Sequence, residues 1–99
     1  MSTIYKGNNN VVSLILRQGS SAYSIKNYTK VELIIDNETI YDTDTNPTYF
    51  EFSNTRTGLL TLFLGQSNIL VGEYEPEIIY YDADNINGIS FGTFYLEVK

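Results

Sequence analysis

The residues with most chemistry to offer are carboxylates in two loops. Asp42-Thr43-Asp44-Thr45-Asn46 alternates oxygen-bearing side chains, as a calcium loop does. It departs from the EF-hand pattern, because Pro47 falls at position six where glycine is required and Ser53 at position twelve where a bidentate acid is required. Asp82 and Asp84 form a second acidic pair. Asp and Asn in loops also cap turns by accepting their own backbone N–H groups, which needs no ligand at all. A carboxylate pair can work as the acid and base of a glycosidase. Against catalysis, the chain has no His and no Cys. That removes the commonest general base and the thiol nucleophile. A domain of this size also leaves little room for a deep substrate cleft. The expectation is a protein that is not an enzyme, with no catalytic residue, no metal site and no cofactor.

Binding is the chemistry left. The chain holds 9 Tyr and 5 Phe but no Trp. Tyr41, Tyr49, Tyr81 and Tyr95 fall on the parity expected to face outward, where they would serve sugar stacking or protein contact. Tyr is also a good strand former that often packs on sheet faces. Candidate partner contacts are therefore Tyr41, Asp42, Asp44, Tyr49, Asp82, Asp84 and Tyr95.

Those residues must be positioned by strands. The C-terminal third reads as a β-hairpin, Leu70 to Asp82 and Ile89 to Val98, joined by the glycine-ended loop Ala83–Gly88. Tyr74, Ile78 and Tyr80 alternate with Glu73, Glu75 and Glu77, which marks one wet face. Gly92 interrupts the return strand and predicts a bulge. Upstream, strands are predicted at 4–6, 11–17, 29–36, 38–42, 48–53 and 59–64. Polar linkers lie at 18–28 and 43–47, and a hairpin turn at 54–58. Only 65–70 would suit a helical turn. About seven to eight short strands with turns between them predict an all-β, immunoglobulin-like, two-sheet antiparallel β-sandwich. Its core would be Val12, Leu14, Leu16, Val31, Leu33, Ile35, Phe50, Phe52, Leu60, Leu62, Ile78, Tyr80, Phe94 and Leu96. Gly72-Glu73-Tyr74 is placed like a tyrosine corner, in which Tyr74 bonds backbone near Ile69 or Leu70 while Gly72 gives the chain room to turn. If strand 29–36 pairs with 38–42 on one side and the strand ending at Asp82 on the other, Asp42 and Asp82 lie at one end of the sandwich, joined by the Ser20–Tyr28 loop.

A length of 99 residues fits one domain, 1–99. The formal net charge is −6, from 12 acidic and 6 basic residues, and the basic ones form no stripe. Duplex binding draws on clustered Lys and Arg, so nucleic acid is not an expected partner. No apolar run is long enough to span a bilayer. The N-terminus lacks the apolar stretch of a signal peptide, and a soluble protein made inside the cell is expected.

Several segments together resemble the small immunoglobulin-like β-sandwich proteins of tailed bacteriophages, including N-terminal modules of baseplate and tail proteins. They are Ile4-Tyr5-Lys6-Gly7 before Val11-Val12-Ser13-Leu14, Tyr28-Thr29-Lys30-Val31-Glu32-Leu33-Ile34-Ile35, Gly72-Glu73-Tyr74, and Gly92-Thr93-Phe94-Tyr95-Leu96-Glu97-Val98. The chain departs from that pattern at Asn8-Asn9-Asn10, where an Asp-Thr pair is common, and a module standing alone, without the larger C-terminal region of baseplate proteins, is expected. The resemblance implies a structural, non-enzymatic virion component in the tail, baseplate, neck or capsid decoration. It would be made in the host cytoplasm, repeated as copies in the particle, and bound to other phage virion proteins. The alternative is a β-sandwich module for carbohydrate or a host surface.

Overall fold

The computed structural model describes residues 2–18, 21–22, 28–54 and 58–99. Residues 55–57 of the predicted turn at 54–58 and most of the Ser20–Tyr28 loop lie outside the described residues. The strands are β1 (Ser2–Ile4), β2 (Val12–Ile15), β3 (Arg17–Gln18), β4 (Ser21–Ala22), β5 (Lys30–Ile34), β6 (Ile40–Asp42), β7 (Phe50–Asn54), β8 (Leu59–Leu62), β9 (Gly72–Tyr74), β10 (Glu77–Tyr81), β11 (Ile89–Thr93) and β12 (Leu96–Val98). A single 3-10 turn, Pro47–Tyr49, precedes β7 among the described residues. The predicted helical turn at 65–70 is not helical; it is a tight turn in which Ser67 N–H bonds the Leu64 carbonyl at 3.0 Å.

The chain is all-β. A four-stranded sheet runs β11-β10-β5-β6, and three-stranded sheets run β1-β12-β9 and β2-β8-β7, with a short β3-β4 ribbon. These sheets pack around one core containing Ile4, Val31, Leu33, Leu60, Leu62 and Leu96, each with no exposed surface. Alternation explains the choice: in β5, Val31 and Leu33 point inward while Lys30, Glu32 and Ile34 stay half-exposed. Most of the expected core is buried. Leu14, Phe52 and Phe94 are partly buried against it, and Ile4, Tyr41, Leu64, Ile69 and Val98 join it.

Two expectations are corrected. First, the ladders are not antiparallel throughout, because β1 pairs with β12 in parallel, Ser2 opposite Leu96 and Ile4 opposite Val98. Second, the C-terminal hairpin is not two continuous strands in one sheet. Its inner half, β10 with β11, belongs to the four-stranded sheet, and its outer half, β9 with β12, to the β1-β12-β9 sheet. The change of sheet falls at Pro76, which is buried and has no N–H to give a ladder. Its carbonyl takes the Phe94 N–H at 3.2 Å, which holds both strands at the crossing. Breaks of this kind raise the number of strand segments to 12 among the described residues. The expected bulge is present. Between the Ile79–Ser90 and Glu77–Thr93 pairs β11 carries one residue more than β10. Gly92 turns there with a φ of 84°, the left-handed backbone that glycine accepts without cost from a side chain.

Candidate functional site

The topology places Asp42 and Asp82 at the same end of the four-stranded sheet. β6 and β10 both run antiparallel to β5, on its two sides, with Asp42 opposite Glu32 and Tyr81 opposite Lys30. Each carboxylate is turned into its own loop. Asp42 Oδ1 accepts the N–H groups of Asp44 at 2.9 Å and Thr45 at 2.7 Å. Asp82 Oδ1 accepts those of Asp84 at 3.0 Å and Asn85 at 2.8 Å, and the Asn85 side-chain amide at 2.8 Å. Asp36 repeats the device on Glu38 and Thr39. These turns use the carboxylates as acceptors for local backbone. The Thr45 N–H leads the forces that lower the Asp42 pKa, outweighing desolvation. At Asp82 desolvation pushes upward, and the bonds from Asn85, Tyr80 and Asp84 together bring the pKa below its ordinary value. Asp44 and Asp84 are exposed and contribute backbone N–H groups to these turns. Among the described residues, no group of three or more His, Cys, Asp or Glu side chains converges to hold a metal ion.

The aromatic candidates separate. Tyr41 does not face outward; only 7% of its surface is exposed. It opposes Leu33 across the β5–β6 ladder. Directly opposed residues share a face, and Leu33 is in the core, so Tyr41 is carried inward. Its ring meets Tyr49 edge-on at 4.9 Å. Its hydroxyl is buried without a hydrogen-bond partner among the described residues. Burial pushes its pKa up, and the nearby Asn68 backbone and Ser67 hydroxyl pull the other way without reaching hydrogen-bond geometry. Tyr41 is therefore a core residue and leaves the set of contact candidates. Tyr49 is half-buried beside it. Tyr81 donates to Glu32 Oε1 at 3.3 Å and lies 4.5 Å below the Lys30 ammonium.

Tyr95 lies outside the four-stranded sheet, in the break between β11 and β12. Its hydroxyl donates to Glu73 Oε1. That bond first, then desolvation and the negative charges of Glu73, Glu97 and Glu75, push its pKa to about 12. Glu97 stands opposite Glu73 in the β9–β12 ladder. Like charges in that position repel. Tyr95 on one carboxylate, and Lys99 at 3.8 Å from Glu97, offset the repulsion. The expected tyrosine tie is present, since Tyr74 Oη donates to the Leu70 carbonyl at 2.8 Å. Gly72 opens β9 beneath the Tyr74 ring, where an added Cβ would meet the hydroxyl at 3.5 Å, an ordinary contact. The bond steadies a tip on which Leu70 and Val71 are 73% and 68% exposed.

One surface has no counterpart in the carboxylate and tyrosine candidates apart from Tyr49. Asn8, Asn9 and Asn10 meet Thr48, Tyr49, Phe63, Gly65 and Gln66 around an open groove of about 210 Å³. The signal in the sequence is the Asn triplet, which stands there only as a departure from the phage pattern.

Comparison of the chain with family models, with curated proteins and with solved structures finds no match. No helix among the described residues is long and apolar enough to cross a membrane.

Proposed function

We propose that this chain is a non-enzymatic structural component of a tailed-phage particle, an immunoglobulin-like module that docks on other virion proteins. The resemblance of its strand segments motivates the phage assignment. The observation that carries the docking role is the Leu70–Val71 tip, two adjacent apolar side chains exposed on backbone that Tyr74 ties down. Apolar side chains on a rigid support lose little freedom when a partner covers them.

Docking by strand addition at β6 has less in its favour. Ile35 N–H bonds Thr39 O and Thr43 N–H bonds Val31 O, so odd-numbered residues face β5. The outward groups of Asp42 are both taken by Asn46, whose Oδ1 accepts its N–H at 3.3 Å and whose own N–H bonds its carbonyl at 2.8 Å. Such capping blunts an edge. Mass spectrometry of purified particles tests the proposal, with the chain expected in fixed copy number. Its absence from intact particles would overturn the structural role. Leu70→Asp with Val71→Asp is expected to leave the fold intact and remove the chain from particles.

A further inference from the structure

We infer that the groove between the Asn8–Asn10 turn and the 63–66 turn is a binding site for one ring of a neutral saccharide. This inference is independent of where the protein resides.

The floor is aromatic. The Phe63 N–H bonds the Tyr49 carbonyl at 2.9 Å, which sets the two residues side by side just beyond the β7–β8 ladder. Tyr49 is braced from behind by the buried Tyr41, and Phe63 is 36% exposed. Asn8, Asn9, Asn10 and Gln66 also line the groove, whose surface is mostly apolar. Asn8, Asn9 and Asn10 are all exposed, and their side chains make no hydrogen bond among the described residues. Each amide offers both donors and an acceptor.

The two turns are locked together before any ligand arrives. Gly7 N–H bonds the Gly65 carbonyl at 2.7 Å, and Gln66 Nε2 returns a bond to the Gly7 carbonyl at 2.7 Å. A Cβ at residue 65 would lie 1.9 Å from the Asn8 carbonyl oxygen, so only glycine permits this approach. A site held in this way has little ordering entropy left to lose on binding.

The occupant follows from the chemistry. None of the residues lining the groove is charged, although the chain as a whole carries −6. A charged ligand would find no counter-ion there. A pyranose ring presents an apolar C–H face that suits an aromatic floor, and vicinal hydroxyls that both donate and accept, as the amides do. The volume, about 210 Å³, lies below the roughly 300 Å³ at which pockets for drug-sized ligands begin, so the groove suits a single ring.

The test is titration of the isotopically labelled full chain with maltotriose, cellotriose, mannotriose and chitotriose, each to about 10 mM, the range in which such weak sites fill. Amide shifts confined to Asn8–Asn10, Tyr49, Phe63 and Gln66 are expected with at least one of them. Phe63→Ala should weaken that binding about tenfold, as loss of one stacking contact would. Asn9→Ala, at an exposed turn position that leaves the fold intact, should weaken it too. The inference is overturned if none of the four sugars shifts the groove amides, if the shifts map to another face, or if Asn9→Ala and Phe63→Ala bind as well as the parent. Groove shifts in a chain absent from virions would uphold this site while rejecting the virion role.

Discussion

The hydroxyl of Tyr74 donates to the carbonyl of Leu70 at 2.8 Å, four residues back, and closes the turn that leads into β9. Replacing Tyr74 by Phe removes that one bond and keeps the ring. A net loss of about 1 kcal/mol is expected, the usual value of one intramolecular hydrogen bond. Urea denaturation of both proteins measures it, and equal midpoints would show that the bond does not hold the turn.

Tyr41→Phe should behave in the opposite way. The Tyr41 hydroxyl is buried with no hydrogen-bond partner among the described residues. A buried polar group without a partner keeps its desolvation cost and returns nothing. The Phe variant is therefore expected to match or exceed the parent in stability, by up to about 1 kcal/mol. A clear destabilisation in the same urea experiment would mean that the hydroxyl is satisfied in solution.

Acid should weaken the loop ends. Asp42 and Asp82 have folded pKa values below the ordinary 3.8. A lowered folded value means that their contribution is complete above the unfolded pKa and disappears as pH falls through the folded one. Thermal unfolding between about pH 5 and about pH 2 should show the loss. Asp42→Asn and Asp82→Asn cannot gain that proton, so each should lose less on acidification than the parent. Identical acid profiles for variants and parent would exclude these two groups.

Alkali should act through Tyr95. Its pKa is raised to about 12, led by the hydrogen bond to Glu73. A raised folded value gives a contribution that is complete below the unfolded pKa and lost as pH climbs through the folded one. NMR titration of the Tyr95 ring should give a midpoint near 12 in the parent and one nearer 10 in Glu73→Gln. An unchanged midpoint in the variant would exclude Glu73 as the cause.

Side-chain parity made much of the fold legible. Val31, Leu33 and Ile35 could be assigned to the core because period-two alternation is unambiguous in a strand of that length. Gly92 and Tyr74 were readable because a strand glycine and a Gly-x-Tyr entry each have a local geometric meaning. Tyr41 was misplaced because its face depends on register. The turn at Asp36–Thr39 sets that register, and three residues of β6 are too few to show it by alternation. The strand breaks were hidden because Pro76 and Phe94 sit inside runs that read as continuous β. The carboxylates showed their residue types but not their direction, which depends on N–H groups of the following residues. The groove was not legible, since three separate segments meet there, Phe63 bonded to Tyr49 and Gly65 brought against Asn8.

The parallel pairing of β1 with β12 sets how this chain carries tension. Ser2 lies opposite Leu96 and Ile4 opposite Val98, so a pull on the N-terminal end and a pull on the C-terminal end slide the two strands along each other. The Ser2–Tyr95, Lys99–Ile4 and Lys6–Lys99 backbone bonds are then loaded together in shear, where an antiparallel terminal pair would open one bond at a time. Resistance to stretching is thereby concentrated in a patch five residues long, Ser2 to Lys6 against Tyr95 to Lys99.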